Sequence, residues 1–246
     1  MIELLGNNVI EETSGGSKEV KKYNLTINSF LGDVDANGVL QVPSVLEDAI
    51  FTGVKEIPTG TQNPSATSLL NYKFLLSSIK NVSFPDLVNI GNYGLSNAFR
   101  YSKLETISFE KLENINQGAF TNAFANCSNL RSILFPAVKT IDGVSCTGIC
   151  QNSTNITSLS FPELTEIKER NAFTNAFAGV NNVEIFFPKL TTIFDAGSGQ
   201  QSAFNGISQN SNDMTLHFKA GMESTIQALT GYPNFGGKPI TYVYDL

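Results

Sequence analysis

The sequence predicts a strand-rich α/β solenoid of about six repeats, and three observations predict it. Apolar residues recur at fixed offsets, one residue being followed by others at +3, +5, +8 and +11. The central phenylalanine of each set returns at Phe51, Phe84, Phe109, Phe135, Phe161, Phe187 and Phe218, at spacings of 33, 25, 26, 26, 26 and 31 residues. Each closes a short alternating run such as Ile107-Ser108-Phe109, the period-2 mark of a strand with one buried face. A unit of this size cannot bury its apolar side alone, so a fixed spacing means that successive turns of chain stack.

The elements follow in order. Residues 1–22 are polar, with Ser14-Gly15-Gly16-Ser17 ahead of a basic stretch, and are expected to form a flexible lead-in. From Tyr23 the chain alternates through Leu25 and Ile27, turns at Asp35-Ala36-Asn37-Gly38 and returns through Val39 and Val42, which predicts a capping hairpin over 23–45. Repeats are expected over 46–212. Their columns read Leu46, Ala49, Phe51, Val54, Ile57 in the first unit and Ile185, Phe187, Leu190, Ile193 in the last, where Asn182 stands in the first column. Pro85, Pro136, Pro162 and Pro188 follow their phenylalanines and end the strand, because proline has a fixed φ and no N–H.

A second apolar pair recurs at i and i+4: Leu70 and Phe74, Leu95 and Phe99, Phe120 and Phe124, Cys146 and Cys150, Phe173 and Phe177; in the last unit Ala203 and Ile207 are a candidate for it. That spacing predicts a short α or 3₁₀ segment across the core from the strand. Residues 213–246 are expected to cap the far end with a strand at Leu216-His217-Phe218, a helix from Met222 to Leu229 and a closing strand from Ile240 to Tyr244.

Composition narrows the function. A net charge of −6 with dispersed lysines argues against nucleic acid as partner, since phosphate binding needs a basic face. No run of about 18 apolar residues exists, so no membrane span is expected. The first residues lack the basic start and long apolar run of a secretory signal peptide; the expectation is export by another route or a lost leader. Cys146 and Cys150 occupy columns held elsewhere by Phe and Leu and are expected as small buried hydrophobes, with Cys127 near the place of Ser153. With His217 as the sole histidine there is no four-ligand zinc pattern, and no cofactor is expected. Asp33, Asp35 and Asn37 are spaced like the first half of a calcium loop, but Ser44 stands where the bidentate carboxylate belongs, so a plain turn is expected.

The units written Leu-x-x-Ile-x-Phe-Pro-x-Leu-x-x-Ile, with Phe-rich turns such as Asn175-Ala176-Phe177, resemble the BspA-like class of leucine-rich repeats over about residues 40–235. Phe218-Lys219-Ala220-Gly221-Met222 is similar to that family's strand, Ala-Gly turn and capping helix. The resemblance implies a right-handed leucine-rich-repeat solenoid of bacterial type. It implies a cell-surface or virion-associated adhesin or binding module, with no catalytic residues to carry over.

The function expected is therefore non-enzymatic recognition of a protein or glycan on a cell surface. A structural subunit of a phage tail or surface appendage is the alternative, and a carbohydrate-active enzyme a weaker one. Asp86, Glu110, Glu163, Glu166 and Glu169 are scattered as on a solvated face, and His217 has no nucleophile motif nearby.

Two features nominate contact residues. The gap from the last strand-side Ile to the next apolar pair is normally five or six, but 13 from Ile57 to Leu70 and 10 from Ile193 to Ala203. Residues 58–69 and 194–202, including Thr59, Gln62, Asn63, Asp195, Gln200 and Gln201, should emerge along one side. On the strands, Ser83, Ser108, Leu134, Ser160 and Phe186 should form an outward column, in which Leu134 and Phe186 interrupt a polar row. Asn97, Asn122 and Asn175 share a column and are expected to form a buried amide ladder.

Overall fold

The computed structural model describes residues 10–13, 20–23, 48–51, 53–57, 59–60, 74, 78–197, 202–211 and 213–246. Within the expected lead-in, β1 (Ile10–Thr13) and β2 (Val20–Tyr23) pair antiparallel, with Ile10 opposite Tyr23. The β-branched residues there favour extended backbone, a preference that the polar composition of residues 1–22 obscures. The hairpin expected over 23–45, with Asp33, Asp35 and Asn37 in it, lies outside the described residues apart from Tyr23.

Each repeat then makes three sides. The first side is β3 (Asp48–Ile50), β5 (Asn81–Ser83), β7 (Thr106–Ser108), β9 (Ser132–Leu134), β11 (Ser158–Ser160) and β13 (Glu184–Phe187). With β15 (Met214–Phe218) and β16 (Ile240–Val243) they form one eight-stranded parallel sheet in chain order. The second side is a row of two-residue strands at the +11 isoleucines: β4 (Glu56–Ile57), β6 (Asn89–Ile90), β8 (Asn114–Ile115), β10 (Thr140–Ile141), β12 (Glu166–Ile167) and β14 (Thr192–Ile193). This side also pairs in parallel but is split between β6 and β8. The cause is local. Elsewhere the backbone N–H that follows each isoleucine donates to the preceding repeat, as Asp142 does to Ile115 and Lys168 to Ile141. At the split, the Asn116 side chain takes that place and donates to the Ile90 carbonyl at 2.7 Å and to Asn89 Oδ1 at 3.1 Å.

The third side differs from expectation. The i, i+4 apolar pairs do not lie on a helix; they lie on a ribbon of consecutive turns. Along it, amide N–H groups alternate in direction. Those of Leu95, Asn97, Phe99 and Tyr101 donate to the next repeat at Ala119, Thr121, Ala123 and Ala125, while those of Gly94, Ser96, Ala98 and Ser102 turn back three residues. Every fourth residue takes the left-handed conformation: Tyr93, Asn97, Tyr101; then Gly118, Asn122, Asn126; then Val144, Gly148, Asn152; then Asn171, Asn175, Gly179. An α-helix admits no such residue, so Asn and Gly stand here for their tolerance of positive φ. Asn97 is buried, but its amide donates to Ser96 and not to Asn122, and on the ribbon an amide-to-amide bond runs from Asn152 to Asn126 in the neighbouring column.

The core lies between the three sides. Phenylalanines of the first side stack face to face from repeat to repeat, with Phe84 to Phe109 at 5.4 Å, Phe109 to Phe135 at 5.3 Å and Phe135 to Phe161 at 5.4 Å. Burying each ring contributes about 1.5–3 kcal/mol. Ribbon rings meet them edge-on, as Phe120 meets Phe109 at 5.1 Å. In the last unit Phe204, not Ala203, holds the first ribbon column, stacking on Phe173 at 5.8 Å, and Ser208 holds the second. The long insertion shifts the count by one, because the apolar offset alone does not distinguish Ala203 and Ile207 from their neighbours. The far end is closed by α1 (Glu223–Gln227), which buries Ile226, and by β16 lying parallel to β15.

Candidate recognition surface

The first sheet presents three side-chain rows to the outside or core by simple alternation. The register aligns Ile50, Ser83, Ser108, Leu134, Ser160, Phe186, His217 and Val243 in one outward row, and Val82, Ile107 and Ile133 in the inward row beside it. In the first half of the outward face Ile50 is exposed on β3, and on β5 and β7 polar groups bond one another: Ser108 Oγ to Ser83 Oγ at 3.1 Å and Thr106 Oγ1 to Asn81 Oδ1 at 2.8 Å. The second half changes character. Leu134 is 52% exposed, and Phe186 is half-buried with its ring stacked on His217 at 4.3 Å and 16°.

His217 also belongs to this surface. Its imidazole is mostly covered, with Nε2 3.9 Å from Glu184 and Nδ1 3.7 Å from Asp245. The signal was available in Leu216-His217-Phe218, whose alternation points His217 outward at the register of Phe186.

The insertion residues fall elsewhere. The described residues of both expansions, Thr59 and Gly60 in one and Phe194 to Gly197 in the other, follow the second-side strands β4 and β14. Thr59 is exposed there, and Gly60 still donates to Asn92. Asp195 is engaged in holding the cap: Oδ2 accepts from the N–H and hydroxyl of Thr230 at 2.9 and 3.1 Å, and Oδ1 from Gly197 N–H at 3.2 Å. Gln62, Asn63, Gln200 and Gln201 lie outside the described residues. Leu134 and Phe186 thus share one face, and Thr59 and Asp195 do not join them.

The remaining polar groups serve the stack. Lys111 pairs with Asp86 at 2.8 Å, Lys139 with Glu113 at 3.1 Å and Lys189 with Glu163 at 2.7 Å, each one repeat apart, so the dispersed lysines are rungs between coils. Exposed pairs of this kind contribute about 0–1 kcal/mol each. Cys127 does a serine's work, its thiol meeting the Phe99 carbonyl at 3.0 Å as Ser153 Oγ meets that of Phe124 at 2.7 Å. Burial pushes the Cys127 thiol up to about 11 and raises Cys146 and Cys150 as well, so all three are buried and unreactive in character. Among the described residues no group of three or more His, Cys, Asp or Glu is placed to hold a metal ion, and no helix is long and apolar enough to cross a membrane.

A family model describing the BspA type leucine rich repeat region matches residues 41–142 and 121–213, in six copies. The chain belongs to that family. No curated protein and no solved structure matches it. For a BspA-type leucine-rich-repeat chain, the solenoid of stacked short strands is the family architecture, and membership points to a repeat-based binding or surface module.

Proposed function

We propose that this protein is a non-catalytic binding module that recognises a protein or glycan on a cell surface through its first sheet. The observation that carries this reading is the break in the outward row. From β9 onward an exposed Leu134 and a ring pair, Phe186 on His217, stand where β5 and β7 carry serines bonded to one another. Large apolar groups at the centre of a polar face are the usual anchors of recognition. Of the carboxylates that an enzyme of carbohydrates could use, Asp86 and Glu163 are engaged with lysines of the next repeat.

The insertions after β4 and β14 form a separate, secondary contact, with Thr59 in the first and Asp195 acting as its structural anchor in the second. Adhesion of the purified chain to cells, compared with Leu134→Ser/Phe186→Ser and with Thr59→Ala, tests the assignment. Loss of at least tenfold in the strand-face double variant, at unchanged melting temperature, is expected. Equal adhesion of that variant would overturn it.

A further inference from the structure

Resting on that reading and sharpening it, we propose that the notch between Leu134 and Phe186 is a subsite for one neutral pyranose ring of a glycan. Its walls and floor come from three adjacent strands: Leu134 on β9, Ser160 on β11 and Phe186 on β13, aligned by the register. Strands lie about 4.8 Å apart, which sets the two walls about 9.6 Å from each other. Contacts of about 4 Å on each side leave room for one ring of substituted carbon between them.

The orientation of Phe186 fits that occupant. Its ring lies parallel to the His217 ring in the neighbouring strand, so the normal to both rings runs along the sheet from strand to strand. One face of Phe186 is therefore covered by the imidazole, and the other looks over Ser160 towards Leu134. An electron-rich aromatic face bounded in this way takes the C–H face of a pyranose. Hydroxyl groups complete the match. The Ser132, Ser158 and Ser160 side chains make no hydrogen bond among the described residues, in contrast to the bonded Ser83 and Ser108 of earlier strands. Ser158 and Ser160 are exposed at the floor and edge of the notch.

Charge decides the class of sugar. Glu184, two residues before Phe186 on the same strand, is 55% exposed and, among the described residues, meets only the His217 imidazole at 3.9 Å. The cations that flank the notch in sequence are already matched, Arg131 with Glu105 at 3.9 Å and Lys189 with Glu163. A chain of net charge −6 with an unmatched carboxylate at the rim repels uronic, sialic and sulfated rings. A cationic side chain would be drawn past the notch to Glu184 and Asp245, because the walls and floor are uncharged.

The test is methyl and aromatic NMR of the full chain, titrated with the methyl pyranosides of glucose, galactose and mannose, and with methyl glucuronide as the acidic control. Saturable shifts of the Leu134 methyl and Phe186 ring signals with at least one neutral pyranoside are expected. Ser160→Leu, which fills the floor with a strand-compatible side chain, and Phe186→Ala should each weaken that binding at least tenfold with an unchanged melting temperature. No response to any neutral pyranoside, binding undiminished in Ser160→Leu, or a glucuronide bound as tightly as the neutral rings would overturn the sugar assignment. If cell adhesion still falls in Leu134→Ser/Phe186→Ser while no pyranoside binds, the recognition face stands and its occupant is a protein. If neither measurement responds, both assignments fail.

Discussion

At the residue scale, Ile149 and Cys150 show how the core tolerates variation. Four other repeats place Ala98-Phe99, Ala123-Phe124, Ala176-Phe177 and Ile207-Ser208 at the same two positions, all buried. A small residue beside a large one is exchanged for a large residue beside a small one, twice, so the local volume is kept while the order is reversed. Ile149→Ala should destabilise by about 2–5 kcal/mol through the cavity it leaves. Cys150→Phe should destabilise by about 1–3 kcal/mol through overpacking. Together they recreate the Ala-Phe order, and the double variant should lose less than the sum, with a coupling of about 1 kcal/mol or more by urea denaturation. Strict additivity would contradict volume exchange. The same exchange explains why Cys146 and Cys150 need no chemical role.

At the scale of elements, the strands of the first sheet can be read from the sequence, because alternation, a following proline and the repeat spacing all point the same way. So can the outward row, since a period of two leaves one phase once Phe is placed inside. The turn ribbon cannot be read from its apolar residues. Leu95 and Phe99 have helical spacing, and the evidence against a helix lies in which residues share the left-handed positions: Asn97, Asn122, Gly148, Asn175 and Gly206. Only the Asn members stand out without the ribbon geometry, and Tyr93 and Val144, also left-handed, give no sequence signal. Tyr93 is held there because its ring lies over Gly118, whose missing side chain leaves the space. The second-side strands, two residues long, are too short to show an alternation in the sequence.

Two elements carry predictions. Asn116→Ala leaves the Ile90 carbonyl without its partner and should destabilise by about 1–2 kcal/mol, with faster amide exchange in β6 than in β10 or β12. Exchange unchanged at β6 would contradict the account of the split sheet. For Asp195, burial alone raises the carboxyl, but the hydrogen bonds from Thr230 and Gly197 hold it below its ordinary value. A depressed carboxyl adds stability above its unfolded value of about 3.9, and that contribution is lost as pH falls through the folded value. Asp195→Asn should therefore cost about 1 kcal/mol at pH 7, with the difference from the native chain shrinking on acidification below about pH 4. A difference constant from pH 7 to pH 3 would contradict the role of the ionised carboxylate.

At the scale of the whole molecule, the solenoid satisfies itself. Backbone groups pair from coil to coil on all three sides, the apolar columns bury one another, and ion pairs step between repeats. What is left over is unevenly distributed. Exposed apolar side chains stand singly at Ile50, Val88 and Tyr101, whereas on the outward row from β9 to β15 Leu134, Phe186 and His217 follow one another with a single serine between. Thr59 and Asp195, the described residues of the two insertions, do not lie on that row, so they and the positions where the sheet surface changes are different places. The first are visible as spacing; the second are visible as a change of residue type at one alternating position of each strand, with His217 joining them through the register of β15.

Hydroxyl-radical footprinting of the full chain, alone and bound to the cells or glycan that retain it, tests this account most directly. Protection of Leu134 and Phe186, with the turn-ribbon residues Tyr101 and Asn126 unchanged, is the predicted result. Protection confined to the ribbon or to the corner that carries Thr59, with Leu134 and Phe186 labelled as strongly as in the free chain, would contradict it.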